Sequence, residues 1–333
     1  MKYNLLKKII GLDNFETQND NLLYICTSKN LILNNEIIYD QNNLVSFVKD
    51  FNGNIVFSTS DNNIYFYDSS TTLLVEDYSL SEKKYNNEKI YISKRISRGV
   101  FETFLFSIKE NKKTLITEIP WFVENEYNIF CNGSVLKKEN ILNNIIDWEI
   151  NLGDCGVLRK ILGVINKKLW VSMYRGGIDK NKNTLIALDI DSGQINYQIP
   201  NNYDISDWFV ELIPEQSSIL SIHGKISTHP ADSPLIEINA NTGEIIRNQR
   251  IESLYSENLK IGFWKVLNDK IYFTANKDVL NGTHIGVLDY HTLEILWASK
   301  VDEMRGGFID LQVTENKIYA LDTGNQLHVF ERV

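Results

Sequence analysis

The sequence has 333 residues, 43% of them hydrophobic and 11% aromatic, which is enough to bury a large core in one folded domain. Lys and Arg number 34 against 43 Asp and Glu, and the net charge of −9 argues against nucleic acid as a partner, because a phosphate backbone is bound by clustered basic side chains. A basic protein is the better electrostatic match, and no apolar stretch approaches the ~18 residues that a membrane span needs.

The N-terminal segment, Met1–Ile10, carries positive charge, but its apolar runs are two residues long. An export signal needs an apolar run of roughly 7–15 residues, so none is expected. The three cysteines, Cys26, Cys131 and Cys155, form no Cys-x-x-Cys pair, which argues against a disulfide framework and a structural zinc site. These features predict a cytoplasmic protein.

Short polar turns followed by apolar strands rich in Ile, Tyr, Phe and Leu recur along the whole chain. Eight such strands are found, at Leu22–Cys26, Gly53–Thr59, Lys89–Ser93, Tyr127–Cys131, Lys168–Met173, Ser218–Ile222, Lys270–Thr274 and Lys317–Leu321. Their starts lie 31 to 52 residues apart, a spacing that matches the length of a four-stranded propeller blade. Helical periodicity is nearly absent.

A strand-turn-strand phrase follows three of these strands in the second half of the chain. It begins at Leu185, Leu235 and Ile285, with a period of 50 residues, and each copy has an Asp or Asn before a Ser or Thr in the turn. Such side chains form hydrogen bonds with their own backbone and favour turns. The repeat predicts an all-β fold, a β-propeller of four-stranded antiparallel blades. Eight blades follow from the strand count, and seven is the commoner number, so both remain open.

The last repeat has three predicted strands, Phe308–Val313, Lys317–Asp322 and Gln326–Phe330. The segment Tyr3–Ile10 is compatible with a strand and has no partner in the first repeat. We therefore expect Tyr3–Ile10 to complete the last blade and close the ring, which removes an exposed sheet edge. Residues 1–333 are predicted to form a single propeller domain.

The segments Ala187–Ile195 and Ile238–Ile245, together with Leu293–Trp297, resemble the repeat of the pyrroloquinoline-quinone-type (quinoprotein-like) propellers. The similarity covers residues 165–330 well and the first half only loosely. It implies the fold and not a function, because scaffolds and enzymes share this repeat. The chain is about half as long as the enzymes of that family, so no quinone or other cofactor is predicted.

The longer connections of the second half are expected at one end of the blades. They are Tyr174–Asn183, His223–Ser233, Asn276–Thr283, Asn201–Asp207, Glu252–Lys260 and Asp302–Gly307. Insertions on one face of a repeat protein are typical of a binding face, although neutral variation in loop length would also produce them.

Side chains in and beside these connections are the candidate partner-binding residues. Three are aromatic, eight are acidic and two are arginines in Arg-Gly-Gly turns, which also read as flexible turns before a strand. The candidates are Arg175, Asp179, Tyr203, Asp204, Asp207, Trp208, Asp232, Glu252, Tyr255, Glu257, Asp302, Glu303 and Arg305.

Sequence motifs for catalysis and metal binding are weak. His223 and His229 are separated by Gly224 and Pro230, and Asp189 with Asp191 supplies too few oxygens for calcium. No nucleophile elbow, phosphate loop or dinucleotide motif is present. We predict no catalytic residue and no metal ligand, although carboxylates contributed by different blades could still form a glycosidase site.

Two functions remain. An acidic, cytoplasmic propeller of this kind is similar to bacterial immunity proteins, antitoxins that bind and block a cognate antibacterial toxin, and negative charge would steer a basic toxin or effector domain onto the loop face. The alternative is a propeller enzyme or a protein that binds a glycan or small molecule on the same face, which requires a concave pocket with convergent polar groups.

Overall fold

The structure is a computed structural model. It describes residues 1–10, 12–18, 21–26, 30–40, 45–51, 54–68, 70–84, 89–98, 100–124, 126–141, 143, 145–174, 183–200, 203, 205–206, 208–224, 232–278, 281–302, 304 and 306–333.

The first strands are β1 (Tyr3–Ile10), β2 (Leu12–Gln18), β3 (Asn21–Cys26), β4 (Leu31–Leu33), β5 (Glu36–Tyr39), β6 (Val45–Phe51), β7 (Asn54–Thr59), β8 (Ile64–Tyr67), β9 (Thr71–Val75), β10 (Ser79–Lys84), β11 (Lys89–Ser97), β12 (Val100–Ser107) and β13 (Lys112–Ile116). They are followed by β14 (Phe122–Val123), β15 (Tyr127–Asn132), β16 (Val135–Asn140), β17 (Ile146–Asn151), β18 (Val157–Ile165), β19 (Lys168–Tyr174), β20 (Thr184–Asp189), β21 (Ile195–Gln198), β22 (Val210–Ile213), β23 (Ser218–Ile222), β24 (Pro234–Asn239) and β25 (Ile245–Arg250). The last are β26 (Lys260–Leu267), β27 (Lys270–Asp278), β28 (Asn281–Asp289), β29 (Ile295–Lys300), β30 (Phe308–Val313), β31 (Lys317–Asp322) and β32 (Gln326–Arg332). The short helices are α1 (Glu252–Ser256) and two 3-10 turns, Gly153–Cys155 and Pro214–Gln216.

These strands form four-stranded antiparallel sheets, the blades of a β-propeller. Across the described residues there are eight such sheets: those of consecutive strands from β2–β5 to β26–β29, and one with the order β1-β32-β31-β30. Eight is one of the two numbers that the sequence leaves open. Each of the eight predicted apolar strands is the second strand of a sheet, counting the last sheet from β30.

The N-terminal strand β1 pairs antiparallel with β32, as the sequence predicts. The register runs from Tyr3 opposite Arg332 to Ile10 opposite Gln326, with an irregularity between Leu5 and Lys7. β1 is therefore the fourth strand of the last sheet.

The predicted loop Asn276–Thr283 is wrong. β27 extends to Asp278, β28 begins at Asn281, and Asp278 lies opposite Asn281 in the register. The polar sequence indicates a loop, but ladder hydrogen bonds use the backbone, so polar residues such as Asn276, Asp278 and Asn281 can lie in paired strands.

Backbone contacts divide the chain into two compact units. The first contains Met1–Lys2 and Pro120–Leu311, and the second contains Tyr3–Ile119 and Gln312–Val333. The single-domain organisation of residues 1–333 stays a prediction. No helix in the described parts of the chain is long and apolar enough to cross a membrane.

The core of the first unit lies between neighbouring sheets. One cluster joins Leu220 and Ile222 of β23 to Ile271 and Phe273 of β27, all of them buried. Similar clusters fill the spaces between β14–β17 and β18–β21 and between β18–β21 and β22–β25. Alternating strand residues thus pack on both faces of each blade, which is how stacked sheets bury their area.

In the second unit the same principle holds with more aromatic side chains. Tyr39 packs on Phe57 with ring centroids 4.9 Å apart, and Phe57 stacks on Tyr65 at 5.3 Å. Val56 of β7 and Ile90 of β11 belong to a further buried cluster. The apolar strands found in the sequence are therefore the core strands of both units.

The repeated turn is built by its first side chain. Asp189 accepts hydrogen bonds from the backbone N–H groups of Asp191 and Ser192 at 3.1 and 2.8 Å, and Asn239 and Asp289 do the same in the next two repeats. The chain then turns at Gly193, where φ is +73°. A left-handed residue is expected here, because the turn has to return the chain to the next strand.

Candidate functional site

Trp208 is the most exposed large aromatic residue of the described chain, with 63% of its surface accessible. It lies just before β22, where the chain enters the first strand of a sheet. Ser206 fixes the approach, because its Oγ accepts hydrogen bonds from the N–H groups of Trp208 and Phe209 at 3.3 and 2.9 Å. Ser206 is held in turn by the Ser221 side chain, which accepts its N–H at 3.0 Å. The exposed indole therefore projects from a fixed backbone.

Arg159 of β18 links Trp208 to a second exposed aromatic residue. Its guanidinium lies 4.3 Å from the ring centroid of Tyr174 and 5.6 Å from that of Trp208. Tyr174 is 38% exposed, and its register partner Val157 is 51% exposed. We refer to Val157, Arg159, Tyr174 and Trp208 as the Trp208 surface. It combines two aromatic rings and an arginine, the side chains most enriched at protein interfaces.

A cavity of about 400 Å³ opens beside Trp208. Its lining residues come from three first strands and the segment before β22; they are Trp208, Phe209, Glu211, Phe263, Trp264, Lys265, Asp310 and Leu311. Phe209 and Phe263 meet edge to face with centroids 5.8 Å apart. Trp264 is fixed by its indole N–H, which donates to the carbonyl oxygen of Ile222 at 2.9 Å. We call this the Trp208 cavity.

Charged side chains lie along one wall of this cavity. Lys265 Nζ lies 2.6 Å from Glu211 Oε1. Lys160 is not one of the lining residues, and its Nζ donates to the backbone oxygen of Val210 at 2.9 Å. Burial lowers the pKa of Lys160, an effect that Glu211 opposes and Lys265 reinforces. Glu211 of β22 thus interacts electrostatically with a lysine on each side, Lys160 of β18 and Lys265 of β26.

Three of the predicted site residues gather around Arg250. Its guanidinium makes two hydrogen bonds with the Glu252 carboxylate, at 3.0 and 2.9 Å, and lies 3.5 Å from the ring centroid of Tyr255. The hydrogen bond with Glu252 raises the pKa of Arg250, and the charge of Asp232 adds to this effect. Glu252, Tyr255 and Asp232 therefore interact with Arg250 of the same chain.

The other predicted residues are dispersed. Tyr203 is partly buried against the core of β18–β25, Glu257 is exposed at the end of α1, and Asp302 is exposed 3.8 Å from Lys300 Nζ. Arg175, Asp179, Asp204, Asp207, Glu303 and Arg305 lie outside the described residues. Of the described candidates, Trp208 lines the cavity, and it is the residue on which a site can be built.

Sequence reasoning missed Arg159, Phe263, Lys265 and Asp310. The available signal was charge and aromatic side chains within the first strand of successive sheets, a strand that usually carries apolar residues. The lengths of the loops instead favoured the connections between strands as the binding site. Within the described residues, no group of three or more His, Cys, Asp or Glu side chains is arranged to hold a metal ion.

No family model and no curated protein sequence matches this chain. Solved structures do match it. BamB from Moraxella catarrhalis is similar at 14% identity, with 100% of this chain and 98% of that chain covered and a TM-score of 0.58. The computationally designed Ika8 protein matches at 11% identity over 97% of this chain and 96% of its own, with a TM-score of 0.54.

A third similar structure is Hsv2 from Kluyveromyces lactis, at 12% identity over 85% of this chain and 91% of that chain, with a TM-score of 0.50. Identities this low carry the fold and no function. The likeness to BamB, together with the repeated turns, supports a β-propeller of the pyrroloquinoline-quinone repeat type.

Proposed function

We propose that this chain is a non-enzymatic propeller that binds another protein through the Trp208 surface. The observation that carries the proposal is the 63% exposure of Trp208 beside an apolar cavity. An indole that a fixed backbone holds in water gains favourable burial when a partner docks on it. Tryptophan and arginine are also among the residues that contribute most binding energy at protein interfaces.

The more specific form of the proposal is a cytoplasmic immunity protein that binds and blocks a basic antibacterial toxin. The net charge of −9 supports a basic partner, because negative charge repels acidic proteins and raises the rate at which a basic protein associates. Exposed Glu257 and Asp302 add to this field in the described part of the first unit. The toxin would be inhibited when the Trp208 surface covers its active cleft.

A second candidate is binding of a glycan or small molecule, with or without catalysis. The Trp208 cavity favours it, since cavities of about 300–1,000 Å³ with aromatic walls and a few polar groups are typical of small-molecule sites. The exposed side chains of Tyr174 and Val157 favour a protein partner, because a small ligand in the cavity would leave them uncovered.

The proposal is tested by affinity capture from the native cells with the wild-type chain, Trp208→Ala and Trp121→Ala. Trp121 is a matched control, an exposed tryptophan of the same unit that does not line the cavity. We expect one stoichiometric partner, retained by Trp121→Ala, reduced about tenfold by Trp208→Ala, toxic when produced alone and neutralised by this chain.

Capture that is insensitive to Trp208→Ala would contradict the Trp208 surface. Absence of any stoichiometric partner would contradict protein binding and favour the small-molecule candidate. A partner that is lost with Trp208→Ala but is not toxic would retain the interface and reject the immunity function. Thermal unfolding of each variant shows whether it is folded.

A further inference from the structure

We infer that the tip of the β11–β12 hairpin docks on the surface of a membrane that contains anionic phospholipids. The tip comprises residues 94–102, which we call the β11–β12 ribbon. It belongs to the second unit, whereas the Trp208 surface belongs to the first, so this inference does not rest on the proposed function. The contact is peripheral and requires no segment that spans the bilayer.

The register of the strands shows that the ribbon extends beyond its own sheet. β10 begins at Ser79, opposite Ser93 of β11. β13 ends at Ile116, opposite Thr103 of β12. β11 and β12 continue to pair with each other past both points. The ribbon is therefore a two-stranded extension of a four-stranded sheet, and it lies past the ends of both outer strands.

Apolar side chains are exposed on both faces of the ribbon. Ile96, Val100 and Phe101 are 52%, 53% and 59% exposed. Successive residues of a strand point to opposite faces, so Val100 and Phe101 lie on different sides. A flat protein surface covers only one of these sides. The fluid interface of a bilayer surrounds the tip and buries side chains on both, which favours lipid over a protein partner.

The ribbon belongs to a basic part of an acidic protein. Residues 89–116 contain seven Lys and Arg against two Glu, a formal charge of +5 in a chain of −9. Within the ribbon Lys94 lies opposite Glu102, whereas Arg95 and Arg98 are exposed. Arginine binds phosphate oxygens strongly, and each basic residue near an anionic leaflet favours binding about fivefold. The acidic remainder of the chain is repelled by the same leaflet, so the ribbon is the part that approaches it.

The backbone of the ribbon limits how deeply it enters the bilayer. The outer N–H and C=O groups of a two-stranded ribbon need water, which the hydrocarbon core does not supply. Arg95 Nε donates to the carbonyl oxygen of Ser97 at 3.3 Å, so this guanidinium is held beside the tip. We therefore expect Phe101 and its apolar neighbours to enter the headgroup region, at the depth where Arg95 and Arg98 meet the phosphates.

The test is co-sedimentation of the full chain with vesicles of phosphatidylcholine alone, or of phosphatidylcholine with phosphatidylserine. At low salt we expect binding to be about tenfold or more tighter when phosphatidylserine is present, because Arg95 and Arg98 contribute about fivefold each. Added NaCl should reduce this preference, because it screens the attraction.

Two double variants separate the apolar contribution from the electrostatic one. Val100→Ser with Phe101→Ser should weaken binding to phosphatidylserine vesicles about tenfold, because it removes apolar burial on both faces. Arg95→Gln with Arg98→Gln should bring the affinities for the two kinds of vesicle to within about threefold of each other.

The control variants carry the same kinds of change outside the ribbon. Leu115→Ser removes an apolar side chain of β13 that is 62% exposed. Lys109→Gln with Lys112→Gln removes two exposed positive charges at the other end of the sheet, where Lys112 lies opposite Ser107. We expect both to bind within about twofold of the wild type, because charges away from the contact are screened. Thermal unfolding shows whether each variant is folded.

Equal binding to both kinds of vesicle would contradict the role of anionic lipid, and an equal loss in ribbon and control variants would reject the ribbon as the contact. Absence of vesicle binding would overturn the membrane assignment. Retention on immobilised polyglutamate that depends on Arg95 and Arg98 would then indicate an acidic protein as the partner. Partner capture through Trp208 is measured separately, so the proposed function stands or fails by itself.

Discussion

Gly193, in the turn after β20, lies against the indole ring of Trp148 on the neighbouring sheet. A Cβ atom at this position would lie 2.7 Å from Trp148 Cδ2, and φ is +73°. Gly133, with φ of +64°, has the same backbone requirement but no atom within 4 Å of such a Cβ. Substitutions at the two glycines therefore distinguish the effect of backbone strain from the effect of packing between blades.

We predict that Gly193→Ala destabilises the protein more than Gly133→Ala does. The left-handed backbone costs both variants about 1–2 kcal/mol, and the overlap with Trp148 adds about 1–3 kcal/mol to Gly193→Ala alone. The free energies of unfolding from urea titration measure the difference. Equal destabilisation would mean that Trp148 moves away without cost and does not fix the blade contact.

The turn carboxylates make the stability of this region depend on pH. Hydrogen bonds from Ser192 lower the pKa of Asp189 below its usual 3.8, and those from Thr292 lower the pKa of Asp289 in the same way. Asn239 makes the equivalent backbone bonds at 2.8 and 3.2 Å without a charge. Asn239 is therefore a natural uncharged reference for Asp189 and Asp289.

We predict that Asp189→Asn with Asp289→Asn reduces the loss of stability in acid. A lowered folded pKa contributes stability that is present above the unfolded value of 3.8 and lost as the pH falls through the folded pKa, because the unfolded state then binds more protons. Melting temperatures measured from pH 5 down to about pH 2 should fall less steeply in the double variant. Asn239→Asp should have the opposite effect, and a double variant as acid-sensitive as the wild type would refute the turn contribution.

Strands and turns of this protein could be read from its sequence because their signals are local. The apolar run at Lys168–Met173 becomes β19, and the turn at Asp189 forms through bonds to residues two and three positions later. The Trp208 cavity could not be read in this way. Trp208, Phe263 and Leu311 come together only because first strands of different sheets are neighbours in space, and that distance is not encoded in any single repeat.

β1 is the element on which the last sheet depends for its fourth strand. It pairs with β32 along Tyr3–Ile10, and Ile9 packs against the buried cluster of Leu12, Phe15 and Tyr319. Without β1, the backbone of β32 would present an unpaired edge, and exposed edges promote aggregation.

We predict that a variant lacking residues 1–10 is less stable and aggregates, and that the synthetic peptide Tyr3–Ile10 restores it when added in trans. Light scattering and thermal unfolding, with and without the peptide, test this expectation. A scrambled peptide of the same composition is the control, because it keeps the charge and apolar content but loses the register with β32. A truncated chain that stays monomeric and melts like the full chain would show that β1 does not protect the edge.

The net charge of the whole molecule acts at distances where individual contacts do not. At −9, the chain would attract the proposed basic partner before the Trp208 surface is reached, and this attraction is screened within about 8 Å at physiological ionic strength. Steering of this kind changes the association rate, whereas aromatic anchors that become buried in a complex mainly change the dissociation rate.

We predict that the association rate constant for the basic partner falls about tenfold or more between about 0.02 and 0.5 M NaCl, while the dissociation rate constant changes little. Trp208→Ala should show the converse pattern, with faster dissociation and an unchanged salt dependence of association, because it removes an anchor and no charge. Surface plasmon resonance over this salt series measures both rate constants. An association rate that rises with salt would identify an acidic partner and contradict electrostatic steering, whatever the role of Trp208.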